Sequence, residues 1–396
     1  MGRAGLTAEL ARFVAAAPLA PFDADVLHAA RRAFIDTLGV MLAGRTEAVV
    51  GLVAGCCGDG SEAVSLATGR RMAARDAALI DGIAGHVLDY DDVTLHGHAS
   101  VVLIPAIMAE AQRLAVPGSD VLKAYLIGFE VWSELAWREA DTYHLGSWHP
   151  TSLLGVVAAT AAVAALGRLD ELRTRHALAI AASMAAGVIA NFGTHTKPLQ
   201  VGRAAANAIE AVRLARAGVQ GAADALESPS GLLMGLSPDG RVDSEAPLRY
   251  ATAGWQLLQS GVSVKCYPVC YASHRAVDGV IALARKAGLA PDEIAGVAVG
   301  MGPAPARTVD NAQPVTGLEA KFSLQHNVAA ALLDGKLGFA QLTDAYVRRP
   351  DVTALYRLTR IEHREEPCPE QPGMALHDRV VIATRDGRRL DSGDIR

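Results

Sequence analysis

Aromatic residues are scarce in this 396-residue chain, making up only 5% of it. Hydrophobic residues still account for 51%, with a mean hydropathy of +0.22. A sizeable core must therefore be built from Ala, Val and Leu, which suits closely packed helices. No basic stripe is present, and a net charge of −5 with a pI near 6.2 sets nucleic-acid partners aside. Long apolar runs are missing too. The most apolar stretch, Leu153 to Leu166, is shorter than the ~20 residues a membrane span needs, so no membrane partner is expected. Met1-Gly-Arg-Ala-Gly-Leu-Thr leads into the mixed pattern Ala8-Glu-Leu-Ala-Arg, which is no secretory signal. A cytoplasmic protein is expected. Cysteine is sparse: Cys56, Cys57, Cys266, Cys270 and Cys368 form no disulfide framework, and Cys266-x3-Cys270 lacks zinc-finger spacing. Free, buried thiols are the expectation.

Several catalytic signatures are absent as well. Gly55-Cys-Cys-Gly-Asp-Gly60 has neither a Walker lysine nor the strand–GxGxxG–helix setting, so no nucleotide cofactor is expected. Ser147 sits in Gly-Ser-Trp-His rather than a Gly-x-Ser-x-Gly elbow, which argues against a serine hydrolase.

What the chain does have is one dense polar segment, His86-Val-Leu-Asp-Tyr-Asp-Asp-Val-Thr-Leu-His-Gly-His98. It gathers Asp89, Asp91 and Asp92 with His86, His96 and His98 between alanine-rich runs that read as buried helices. Charged groups in such surroundings are costly unless they pair, bind something or carry chemistry. His96-Gly-His98 beside the three aspartates also suits a divalent metal. However, no second motif of the His-Glu-x-x-His kind occurs, and no metal is assigned.

Helical periodicity predicts helices over 7–19, 24–43, 75–88, 101–114 (with Pro105 in its first turn), 121–139, 150–166, 173–190 (mostly buried) and 198–217. Residues 61–68 read as a small strand or hairpin edge, and 222–227 as a helical turn. From about 255–262 the character changes. Beta-type segments appear at 294–300 and 379–384, the second followed by the hairpin signal Arg385-Asp-Gly-Arg. Helices are expected between them at 273–287, 320–333 and 339–347. The fold class is mainly α: an all-helical domain over 1–260 and a smaller α+β domain over 261–396.

Four polar residues sit where helices are expected to start. His98 precedes the helix near Val101, His149 precedes Pro150, Lys197 precedes Pro198, and His274 follows Ser273, a plausible N-cap. Helix N-termini offer free N–H groups and partial positive charge, so they attract anions. If the four ends converge, they make a pocket for a small polycarboxylate. Lys197 and Lys265 would be its charge partners, with Arg203, Arg275 and Lys321 on its rim.

These residues resemble the MmgE/PrpD family, which includes 2-methylcitrate dehydratase, cis-aconitate decarboxylase and iminodisuccinate epimerase. The resemblance rests on Leu88-Asp-Tyr-Asp-Asp92 with Gly97-His98, on Trp148-His-Pro-Thr151, and on Asn191-Phe-Gly-Thr-His-Thr-Lys-Pro-Leu199 with Gly202-Arg-Ala-Ala-Ala-Asn207. Lys265-Cys-Tyr-Pro268 through His274 and Lys321-Phe-Ser-Leu-Gln325 extend it. It implies a large helical domain with a smaller α+β lid, homodimers, and catalysis without metal or nucleotide. It makes Asp89, His98, His149, Lys197 and His274 active-site residues, with Lys265 a further one. Three departures bear on substrate. Val93 replaces the usual Thr of Asp-Asp-Thr, so a hydroxyl contact is either lost or supplied by Thr94. His98-Ala99-Ser100 replaces His-Pro-Ser, and His326 stands where some members have Tyr. The chain also stops at Asp391-Ser-Gly-Asp-Ile-Arg396, where relatives usually continue into helices that return to the first domain, and those helices are expected to be absent.

The family's reactions share carbanion or enolate character beside a carboxylate, with donors stabilising the charge and an acid or base moving the proton. A cofactor-independent lyase acting on a small di- or tricarboxylate, by dehydration or decarboxylation, is the leading expectation. Lys197 and Lys265 would hold carboxylates, His98, His149 and His274 would share acid/base duty, and Asp89 would orient a His or take a proton. The alternatives are a dicarboxylate epimerase or isomerase and a non-catalytic carboxylate-binding protein.

Overall fold

The computed structural model describes residues 5–17, 22–364 and 376–396. They form two compact units, one of the residues up to Val188 with Thr196–Val264, the other of Ile189–His195 with Lys265–Arg396. The protein is mainly helical, with one small α+β part. Among the described residues no single helix is long and apolar enough to cross a membrane.

The first unit contains α1 (Leu6–Ala16), α2 (Ala24–Gly44), α3 (Ala48–Ala54) and a hairpin of β1 (Ala63–Val64) and β2 (Arg71–Met72). It continues through α4 (Ala74–His86), α5 (Ser100–Leu114), α6 (Gly118–Trp137), α7 (Pro150–Leu166), α8 (Glu171–Ala182) and α9 (Thr196–Arg216). Three short helices close it, α10 (Leu232–Leu236), α11 (Arg249–Ala253) and α12 (Gln256–Gln259). Its centre is α7, apolar all round and buried at every position, with α5, α6, α8 and α9 packed about it. Three large aromatics of α6, Tyr125, Phe129 and Trp132, are fully buried.

The second unit contains α13 (His274–Ala287), β3 (Ile294–Met301), α14 (Pro303–Thr308), α15 (Gly317–Ala320), α16 (Leu324–Asp334), α17 (Asp344–Val347), α18 (Pro350–Tyr356), β4 (Thr359–His363), β5 (Asp378–Thr384) and β6 (Arg389–Ile395). The strand order is β4-β3-β5-β6, with β3 parallel to β4 and the other pairs antiparallel. Helices α13 and α16 cover the sheet through Val277, Val280, Val328, Val297, Val299, Val380 and Ile382.

Several expectations need correction. Pro105 is the sixth residue of α5, beyond the first turn, and the helix continues through it. Helix α8 stops at Ala182 rather than Ala190, and Leu172 is 55% exposed, so it is not mostly buried. Its alanine pattern runs on, but the backbone there serves α7 instead: Gly187, at φ +139°, accepts a hydrogen bond from His149 N, and Val188 bridges Trp148. The helix expected at 320–333 breaks between Ala320 and Leu324, where Ser323 caps α16. The one expected at 339–347 is a 3-10 turn, Phe339–Leu342, followed by α17, which Thr343 caps. Helices α3 and α18 and strand β4 were not anticipated; all are seven residues or shorter, too brief for a clear period. The thiols form no disulfide among the described residues, but they are not buried: Cys56 and Cys266 are exposed, Cys57 and Cys270 half-buried. Cys368 lies outside the described residues.

One packing contact positions everything that follows. Helices α4 and α9 run antiparallel and cross glycine on glycine. A Cβ on Gly82 would sit 2.9 Å from the Cα of Gly202, and one on Gly202 would meet the carbonyl oxygen of Leu79. One turn beyond the crossing α4 reaches His86, and five residues before it α9 carries Lys197. Gly202→Ala should therefore cost about 1–3 kcal/mol, as overpacking does. Gly39→Ala on α2, with nothing within 4 Å of its added Cβ, should be neutral or stabilising. Urea unfolding of the two variants checks this, and equal stabilities would contradict it.

Candidate active site

The polar segment after α4 is bent by two residues in the left-handed region, Asp89 (φ 51°) and His96 (φ 67°), an uncommon backbone for non-glycine residues. It is held from several sides. Asp92 N donates to Asp36, Ser100 Oγ donates to Asp92, and Trp132 Nε1 donates to the Leu95 carbonyl. Thr94 and Gly97 exchange two 2.8 Å backbone bonds. A side chain at Gly97 would press on Thr151 and Trp132, with a Cβ 2.9 Å from Thr151 Oγ1. Only glycine lets this loop lie against the first turn of α7, which brings His98 toward His149.

Within the first unit, Asp89, Asp91, His86, His98, His149 and Lys197 form one cluster. Lys197 Nζ donates to Asp89 Oδ1 at 2.5 Å and lies 2.7 Å from His86 Nε2. On the far side of the same ring, His86 Nδ1 is 3.0 Å from both oxygens of Asp91. His98 Nδ1 is 2.9 Å from Asp91 Oδ2, close enough for an ion pair though turned out of line for a hydrogen bond. His149 Nδ1 is 2.7 Å from Gln200 Oε1, and Gln200 Nε2 donates to the Val188 carbonyl, which fixes which end of the amide faces the ring. The His86 ring meets His98 edge-on at 4.8 Å and stacks on His149 at 5.8 Å. All are buried except His98, whose side chain is 13% exposed.

Burial, followed by the opposing pulls of Asp91 and Lys197, leaves His86 with a pKa of about 4. Burial, then the Lys197 and His86 charges, pushes His149 well below the ordinary histidine value. Asp91 is held well below the usual carboxylate range: burial alone would raise it, but the two imidazoles facing it outweigh that. Both His86 and His149 are thus neutral near pH 7, beside an ammonium and two carboxylates.

Of the expected site residues, the structure brings Asp89, His98, His149 and Lys197 together. Lys197 lies inside the first turn of α9 rather than before it. His274, Lys265 and Lys321 belong to the second unit and are buried there. His274 opens α13 against Tyr267 and Tyr271, and Lys265 Nζ donates to the Val269 carbonyl. Ser273 does not cap α13, since its hydroxyl accepts from Asn327 instead. Arg275 faces Asp378 of β5 at 3.9 Å. Arg203 is exposed on α9, roughly 9 Å along the axis from Lys197, and does not join the cluster. Thr94 donates its hydroxyl proton to the Gly261 carbonyl, so it is not free to donate to a substrate. His326 is fully buried between Tyr356 and the Gln341 carbonyl, a core residue of its unit. His96 turns away to pack on Tyr143.

The residues that reasoning from sequence left out of the site are His86, Asp91 and Gln200. Gln200 follows Lys197 by three residues on one helix face, a spacing that marks neighbours. His86, Asp91 and His98 also offer metal-type donor atoms within 4.8 Å of one another. The donor set does not suit a cation while Lys197 is charged. An ammonium 2.7 Å from His86 Nε2 needs the lone pair there, which leaves the proton, not a lone pair, on Nδ1.

The sequence matches the family model described as the MmgE/PrpD N-terminal domain over residues 8–245, and that of the MmgE/PrpD C-terminal domain over 267–396. A cis-aconitate decarboxylase of Mus musculus is 30% identical over 327 residues, covering 78% of this chain and 65% of that protein. A cis-aconitate decarboxylase of Homo sapiens is 29% identical over 381 residues, covering 91% and 77%. A cis-aconitate decarboxylase-like protein of Aspergillus oryzae is 26% identical over 417 aligned positions, covering 98% and 85%.

Neutral buried rings make stability pH-dependent in a specific window. His86, His96 and His326 have folded-state values of about 4 against an ordinary 6.5, each lowered mainly by burial. A lowered histidine contributes stability that is present above about 6.5 and lost as pH falls toward 4. That is roughly 3 kcal/mol per ring over the whole window. Asp91, also lowered, loses its contribution only at more acid pH than this. Urea unfolding should weaken steadily from pH 7 to 5, with a shallower slope in His96→Phe. An unchanged stability over that range would refute the neutral rings.

Proposed function

From the premise that the chain belongs to the MmgE/PrpD family, we propose that it is a lyase that decarboxylates an unsaturated tricarboxylate of the cis-aconitate type. The three relatives named for that reaction support the substrate class. The observation that carries the reading is the Lys197 ammonium, buried and shared between Asp89 and His86, with the His98 and His149 rings packed around it.

In this reading the bond between the departing carboxylate and its carbon breaks and CO2 leaves. The electron pair passes into the adjoining double bond and carboxylate, and a proton closes the sequence at carbon. Lys197 stabilises the charge that builds up, its ammonium being buried where screening is weak. His98 is assigned as the proton donor: it lies against Asp91 and is the partly exposed ring of the cluster. His149 is held by a neutral amide next to Lys197 and stays neutral, so its Nε2 serves as acceptor. Following the resemblance, His274 is assigned to proton transfer and Lys265 to substrate binding, and Lys321 is assigned to substrate binding for its charge.

The test is an NMR panel in D2O with cis-aconitate, citrate, 2-methylcitrate and iminodisuccinate. Release of CO2 from cis-aconitate with one deuterium placed on carbon is expected. His98→Gln should lower kcat on the order of 10²–10⁴-fold. Exchange or inversion of iminodisuccinate without loss of CO2 would replace this reading with an epimerase, and stabilisation by these acids without turnover would replace it with a binding protein.

A further inference from the structure

We propose that Asp91 and His86 are positioning residues: Asp91 holds the His86 ring in one tautomer with His98 packed beside it, and His86 in turn holds the Lys197 ammonium opposite Asp89. The proposal deepens the reading above, on which it depends for what Lys197 and His98 do.

The geometry requires it. Asp91 is wholly buried and, as a carboxylate, can only accept. His86 Nδ1 lies 3.0 Å from both its oxygens and His98 Nδ1 2.9 Å from one of them. A His86 Nδ1 presenting a lone pair to both oxygens at that distance would be repelled, so it carries a proton. The lone pair of His86 then falls on Nε2, and an ammonium, which can only donate, lies 2.7 Å away. The chain Asp91–His86–Lys197–Asp89 is therefore consistent in every direction: acceptor, donor, acceptor, donor, acceptor. Reversing the His86 tautomer would set N–H against N–H at Lys197 and push the ammonium from its place.

An amide at position 91 does just that. Because His86 Nδ1 touches both oxygens, an NH2 at either site faces a protonated nitrogen, and one ring must flip or rotate. Asp91→Asn should thus fold but lose kcat on the order of 10⁴-fold, the scale seen elsewhere when an orienting Asp becomes Asn. KM against cis-aconitate should change far less.

Side-chain ¹⁵N NMR of the free protein gives a readout that a merely structural role would not move. The wild type should show His86 protonated at Nδ1 and not at Nε2, and Asp91→Asn should alter that pattern. Should Asp91→Asn not fold, His86→Gln and His86→Leu replace it. Gln keeps an acceptor toward Lys197 and should retain most activity, whereas Leu should lose it. A His86 ring protonated at Nε2 in the wild type would overturn the proposal. So would a folded Asp91→Asn of unchanged kcat, or equal activities of the Gln and Leu variants. The tautomer measurement needs no substrate, so it decides the proposal even if every acid on the panel is left untouched.

Discussion

The crossing of α4 and α9 leaves no room for a side chain between Gly82 and Gly202, and the placement of the polar groups follows from that closeness. Helices that meet backbone to backbone put the last turn of one beside the first turn of the other. Here those turns carry His86 and Lys197. A lysine in the first turn of a helix opposes the helix dipole, which prefers negative charge there. Burial to 4% exposure adds a desolvation cost. Lys197 is held in spite of both, through Asp89 on one side and the His86 ring on the other. Local rules are broken where function concentrates, and the surrounding packing supplies the compensation.

The same economy recurs among the imidazoles. Each of the three rings presents Nδ1 to an oxygen: His86 and His98 to Asp91, His149 to Gln200. Each therefore directs Nε2 away from its anchor. The anchors differ in charge, and that difference separates the roles. The Asp91 carboxylate brings a full negative charge to His86 and His98, whereas the Gln200 amide fixes His149 and raises its proton affinity too little to offset burial and the Lys197 charge.

Much of this was legible in the sequence. Helix α7 matched its expected bounds because Pro150 sets its start and an unbroken apolar run defines its length. The His86–His98 stretch stood out because so many charged groups sat between apolar helices. What could not be read was which atoms face each other. Asp89 and Asp91 are two residues apart in one motif, yet Asp89 pairs with Lys197 while Asp91 lies against two imidazoles. The left-handed turn at Asp89 separates them, and nothing in composition announces it. Likewise, the alanine pattern beyond Ala182 predicted more helix, but the backbone at Gly187 and Val188 was needed to hold residues 148 and 149.

The charges in the cluster bear on what it is for. Lys197 contributes one positive charge, while Asp89 and Asp91 contribute two negative ones, and His86 and His149 are neutral. A site built only to hold a polyanion would carry surplus cations, since a carboxylate approaching a net negative group loses Coulomb energy in a low-dielectric interior. A surplus carboxylate beside imidazoles has another use. It orients them: His86 Nδ1 lies 3.0 Å from both Asp91 oxygens, and His98, the partly exposed ring of the three, packs beside it. The cluster is thus poorly suited to grip an acid by charge alone, and its ordered rings suit the acid/base role proposed for it.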